Sequence, residues 1–157
     1  MILLFLYLGL AIGVSFLCSI LEAVLLSVTP SFVASLEQQR PQRGASLHRL
    51  KQNVDEPLSA ILSLNTIAHT IGAAGVGAQA QIVFGEAYVS ITSAVLTVLI
   101  LVLSEIIPKT IGATYWRMLA PFTPPVLRAL TVTLYPLVRL SQLLTRLLSR
   151  RGRAGLV

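Results

Sequence analysis

The chain has 157 residues, 55% hydrophobic and only 11% charged, and its mean hydropathy of +0.81 excludes an ordinary soluble domain. Its 12 Lys and Arg against 6 Asp and Glu point to lipid headgroups rather than nucleic acid, and make the basic residues reporters of loop sidedness. The single Cys18 excludes a disulfide framework or a cysteine-based zinc site within one chain, and neither an HExxH nor a GxSxG motif occurs, which argues against an intramembrane protease; no enzyme is expected.

Residues 2–21 contain no charge, and apolar character continues to Val28, enough for a first membrane-crossing helix. The stretch lacks a basic n-region and exceeds a signal-peptide core, so it is expected to be retained. Residues 29–56 turn polar, with Pro30, Pro41 and Gly44 between Arg40, Arg43, Arg49 and Lys51. This loop is expected in the cytosol, with short helices around 31–39 and 46–52. Pro57 fits the first turn of a new helix capped by Asn53 or Asp55, and a second span is predicted over 58–80. Its "IGAAGVGAQA" suits close helix approach, within a bundle or across a two-fold axis, or else a loosened helix end. "QIVFGEAY" reads as an external turn, and a third span follows over 87–107. The N-terminus is then outside and the C-terminus cytosolic.

Residues 1–117 thus form one three-span unit, about 2–28, 58–80 and 87–107, and 118–157 a juxtamembrane segment. That segment carries Pro121, Pro124, Pro125 and Pro136, and Arg117, Arg128, Arg139 and Arg150 recur every eleven residues. Eleven residues are about three helical turns, so these arginines drift slowly along one face, as in amphipathic interfacial helices broken at prolines. A fourth span would carry Arg146, Arg150, Arg151 and Arg153 outside, against the charge bias.

Polar residues interrupt each span. In the third, "LVLSEIIPKTIG" places Glu105 in an apolar run. Pro108, three residues on, has no N–H and clashes with the carbonyl of Ser104, which loses its helical donor. A carboxylate and a freed carbonyl become neighbours, a start on a hard-cation site. Equally open is a snorkelling Glu105 paired with Lys109. In the first span Ser15, Ser19 and Glu22 share a face. In the second, Ser63 and Asn65 lie in the cytosolic half, with Thr66, His69 and Thr70 above. Ser63 and Asn65, two apart, face one ion only if the helix is irregular there. His69 is expected to hydrogen-bond between helices. Carboxylate, amide, hydroxyl and carbonyl oxygens suit Mg²⁺, Ca²⁺ or Na⁺ rather than Zn²⁺ or Cu⁺.

The motifs "CSILEAVLLS", "ILSLNTIAHT" and "LSEIIPKTIG", in this order, resemble the membrane domain of the CNNM/CorC family of magnesium transporters. The resemblance implies an all-α membrane protein of three transmembrane helices followed by juxtamembrane helices, homodimeric, in the cell (inner) membrane. It implies Na⁺-coupled Mg²⁺ export, and cytosolic CBS-pair domains that bind ATP followed by a small C-terminal domain. Those cytosolic parts are absent from a chain ending "LLSRRGRAGLV". The implied ion ligands are Ser19, Ser63, Asn65 and Glu105, with Glu22 and Ser104 as further candidates. Ile20 and Ser104 stand where the family often has glycine, and His69 where it commonly has asparagine. A different class of function is a dimeric anchor and Mg²⁺ sensor for the cytosolic domains, without transport.

Overall fold

A chain in lipid must satisfy its backbone hydrogen bonds internally, so each long apolar run folds as a helix. The computed structural model describes residues 1–154, with side chains through residue 144. Its helices are α1 (Ile2–Ser27), α2 (Pro30–Gln39), α3 (Pro41–Gln52), α4 (Asp55–Phe84), α5 (Val89–Leu99), α6 (Ile107–Thr114), α7 (Trp116–Leu119), α8 (Thr123–Thr133) and α9 (Tyr135–Ala154). A π-helical segment, Ile100–Ile106, joins α5 to α6, so Glu86–Thr114 runs as one membrane-length helix of 29 residues. With α1 (26 residues) and α4 (30 residues) it makes three candidate spans among the described residues, where no strand occurs.

Helix boundaries differ from expectation at three points. α4 starts at Asp55 with Val54 as its N-cap, and Asn53 donates instead to Glu56 Oε2 at 2.9 Å, so neither expected side chain caps the helix. α3 begins at Pro41 because a proline at the first helical position gives up an N–H that has no helical partner anyway. The third span continues through Pro108 to Thr114, since the wide turn before it absorbs the missing donor.

Tyr7 meets Gly75, Ala11 meets Gly72, and Ser15 meets Asn65 and His69, so α1 and α4 run antiparallel. Gly72 and Gly75 therefore serve packing inside the chain: a Cβ on Gly72 would overlap that of Ala11, and one on Gly75 would fall 2.5 Å from the Tyr7 ring. Against the third span the order is reversed. Leu96 clusters with Leu4, Ser104 meets Ser19, and Gly112 meets Ile20 and Ala23, so this span runs parallel to α1.

It follows that α2, α3 and α7–α8 gather at one end of the bundle. Val24 of α1 and Val28 just past its end, Val33 and Leu36 of α2, Leu47 of α3 and Ala120 form one apolar cluster there, with Phe32 edge-on to Trp116 at 5.1 Å. Lys51 Nζ donates to the Leu25 carbonyl at 3.2 Å, placing a cation on the C-terminal end of α1 where the helix dipole is negative. Arg40, Arg43, Arg49, Arg117 and Arg128 belong to the elements at this end. Pro124, Pro125 and Pro136 sit in the first turns of α8 and α9, and Pro121 in a tight turn at Ala120–Phe122, so the segment after α6 is helical but broken.

Candidate functional site

The interior is layered. Leu4, Val76, Ala80 and Leu96 fill the end near the N-terminus, and Cys18, Leu21, Leu25, Ile61 and Leu127 fill the next apolar layer beyond the centre. Between them lie polar side chains from all three spans, with Ser15, Ser19 and Ser104 each 0% exposed. Buried hydroxyls need partners, and among the described residues no buried side-chain N or O lacks one.

The layer is built around the Pro108 defect. The chain widens over Ile100–Ile106, where the Ile107 N–H reaches back to Val102 O in an i→i+5 bond. The Ser104 carbonyl, which Pro108 cannot serve, accepts the Ser19 hydroxyl at 2.7 Å. The Ser104 side chain donates to Ile100 O at 2.7 Å and lies 3.5 Å from His69 Nε2. The freed carbonyl expected from sequence is thus present, and α1 satisfies it.

A second strand of the network centres on Ser15, whose hydroxyl lies 2.6 Å from Asn65 Oδ1 and 2.6 Å from His69 Nε2. A hydroxyl has one proton. Given to Asn65 Oδ1, it leaves Ser15 accepting from His69 Nε2–H, and His69 Nδ1 then faces Glu105 Oε1 at 4.0 Å. His69 therefore links α1, α4 and the third span. The Glu105 carboxyl is 34% exposed and open to an incoming ligand.

The residues of the implied ligand set fall into three groups. Ser19, the Ser104 carbonyl, Asn65 and Glu105 all belong to this connected layer. Glu22 pairs with Lys109 at 3.3 Å, so Lys109 is engaged with α1 rather than with Glu105. Ser63 is not brought to Asn65's partners: α4 is regular, two residues turn by about 200°, and Ser63 instead lines a groove facing Leu137 and Ser141 of α9. Ser15 is the residue that the implied set omits. Its signal was its place one turn before Ser19 on the same face, but only the rotation of α1 against α4 makes it a hub.

Ser15→Ala would leave Asn65 Oδ1 and the His69 ring nitrogen without their partner. The expected loss is about 1–3 kcal/mol of stability, read as an earlier thermal transition in detergent. An unchanged transition would show that the hydroxyl holds nothing together.

Hydroxyl, amide, carbonyl and carboxylate oxygens are linked in this layer through Ser15 and His69. Among the described residues no three His, Cys, Asp or Glu side chains gather as a transition-metal site would require. The chemistry of this donor set is that of hard cations.

Three long apolar helices around a buried polar layer define a multi-pass membrane protein. The family model for the Cyclin M (CNNM) transmembrane N-terminal domain matches residues 5–154, and the chain belongs to that family. It is 34% identical over 129 residues to a UPF0053 protein of Synechocystis, covering 82% of this chain and 37% of that relative. A DUF21 domain-containing chloroplastic protein of Arabidopsis thaliana is 31% identical, over 95% of this chain and 23% of the relative. The UPF0053 inner membrane protein YfjD of Escherichia coli is 30% identical, over 73% of this chain and 27% of its own length. The chain thus spans less than two-fifths of the length of these relatives.

Proposed function

We propose that the chain is the membrane domain of a Mg²⁺ transporter that exports the ion from the cytosol in exchange for Na⁺. The observation that carries this reading is the Ser104 carbonyl, released from the helix ladder by Pro108, held by Ser19 and adjacent in sequence to Glu105. The proposed ligands are Ser19, Asn65, Glu105 and that carbonyl. In this reading the Ser19 hydroxyl turns a lone pair to the ion, and Glu105 supplies the charge that neutral oxygens lack. Ser63 joins them only where α4 leaves its regular turn.

The reading includes an N-terminus outside and the basic end of the bundle in the cytosol, since Arg40, Arg43, Arg49 and Lys51 resist translocation. A cysteine placed at Gln42 should react with impermeant reagent only from the cytosolic side; labelling from outside alone would reverse the topology. It also includes a homodimer, in the cell (inner) membrane. Gly9 and Gly13 on α1 have nothing within 4 Å, leaving a face on which a second helix could approach closely. Arg117 and Arg128 would meet anionic headgroups. ATP would act only through CBS-pair domains in the remainder of a longer protein.

The test is flux. Purified protein in liposomes loaded with a Mg²⁺-sensitive dye should move Mg²⁺ when an opposing Na⁺ gradient is imposed, and collapse of that gradient should slow it. Mg²⁺ binding without flux would instead favour a dimeric anchor and Mg²⁺ sensor. Neither binding nor flux would defeat both.

A further inference from the structure

Between the start of α4 and α9 lies a cavity of about 340 Å³ that the proposed ion path does not use. Asp55 and Glu56 of α4 line it together with Arg139 and Gln142 of α9. Opposite charges lining one cavity ordinarily pair, yet these do not. Among the described residues the one Lys or Arg paired with a carboxylate is Lys109, with Glu22, and the remaining acid–base contacts are those of the His48 and His69 rings with Glu37 and Glu105. Arg139 donates through Nε to the Tyr135 hydroxyl at 2.6 Å and stacks over that ring, which holds the guanidinium in place without using its two Nη groups. Glu56 accepts Asn53 through one oxygen only.

A second groove of about 410 Å³ lies between the same two helices and meets the first at Ser59, which lines both. Its wall turns apolar, with Leu62, Ile67 and Leu137. Leu62 and Ile67 lie about 10 and 18 Å further along α4 than Asp55, at 1.5 Å per residue. Unpaired charges of both signs at the helix end, followed inward by an apolar groove, match the polarity of a zwitterionic phospholipid from headgroup to chain.

We propose that the α4–α9 groove binds an aminophospholipid with a primary ammonium headgroup, of the phosphatidylethanolamine type. The ammonium donates to Asp55 and Glu56, the phosphate accepts from Arg139, and one acyl chain lies along Leu62, Ile67 and Leu137. A choline headgroup has no N–H to give the carboxylates, and a glycerol headgroup offers them no cation. The occupant is thus set apart from the anionic lipids expected at the other arginines.

The test is lipid retention. Protein reconstituted in bilayers holding ethanolamine, choline and glycerol headgroups on identical chains is extracted in mild detergent, and its bound lipids are counted by native mass spectrometry. The ethanolamine lipid should be enriched over choline about tenfold. Asp55→Asn with Glu56→Gln should bring the two to parity, and Arg139→Gln should remove both. Competition on the unaltered chain reads the same preference should a variant fold poorly. Retention of the glycerol lipid, lost with Arg139→Gln but indifferent to Asp55→Asn, would mean an anionic site on the arginine alone and overturn the proposal. So would no enrichment over choline, or a disulfide between two copies through Leu137→Cys, which would place a second copy in the groove.

Discussion

Glu105→Gln is expected to weaken Mg²⁺ binding by roughly 30-fold or more and to stop measurable flux, while Lys109→Ala leaves both within about threefold. The first substitution keeps shape and removes charge. Losing one member of a desolvated charge interaction costs about 2–5 kcal/mol, and about 1.4 kcal/mol is a factor of ten. Mg²⁺ gives up its water reluctantly, so Ser19, Asn65 and a carbonyl alone are poor replacements for hydration. Lys109 by contrast pairs with Glu22 at 3.3 Å, and its side chain is half exposed, where such a pair contributes about 1 kcal/mol or less. Calorimetric titration and liposome flux on the two variants separate an ion ligand from a structural carboxylate. Native binding by Glu105→Gln alongside loss of fold in Lys109→Ala would make the carboxylate structural and remove it from the site.

Gly112→Ala should destabilise the bundle by about 1–3 kcal/mol although it adds only one methyl group. An added Cβ would sit 2.8 Å from that of Ala23 and 2.9 Å from the Ile20 carbonyl oxygen. A backbone oxygen in the middle of α1 has nowhere to go, so α6 must move away. That movement would also stretch the bond from Ser19 to the Ser104 carbonyl, two turns earlier, and Mg²⁺ affinity should fall with stability. The control is Gly77→Ala in α4, where nothing lies within 4 Å and the gain in helix propensity is about 0.5–1 kcal/mol. Equal melting of the two variants would mean that α6 does not approach α1 this closely.

The parts of this architecture legible in the sequence are those governed by local rules. Uncharged runs of membrane length mark the three spans, and the clash of Pro108 with the Ser104 carbonyl is read at a fixed offset of four residues. The spacing of Ser63 and Asn65 places them on different faces of a regular α4, as found. What satisfies the freed carbonyl is not local: Ser19 lies 85 residues away. Nothing in "SFLCSILEA" says which of Ser15 and Ser19 will meet α4 and which the third span. Helix ends were also obscure where caps are weak, as at Val54, which has no side-chain acceptor to offer.

The π-helical turn has a consequence for azimuth. Along a continuous α-helix Leu96 and Ser104 would stand about 80° apart. A segment bonded i→i+5 holds roughly 4.4 residues per turn, and over Ile100–Ile106 this slower winding brings the two nearly into line. Pro108 then falls close to the same meridian, and Leu96, Ser104 and Pro108 are all buried. The wide turn acts as a phase corrector: it lets one rod present an apolar contact near its start and a polar one further on to the same side of the bundle. Removing one residue within it would let the rod wind as a regular α-helix and still leave Leu96 and Ser104 within about 20° of line, so the wide turn houses one residue more than the alignment needs and gives it to the freed carbonyl beside the carboxylate.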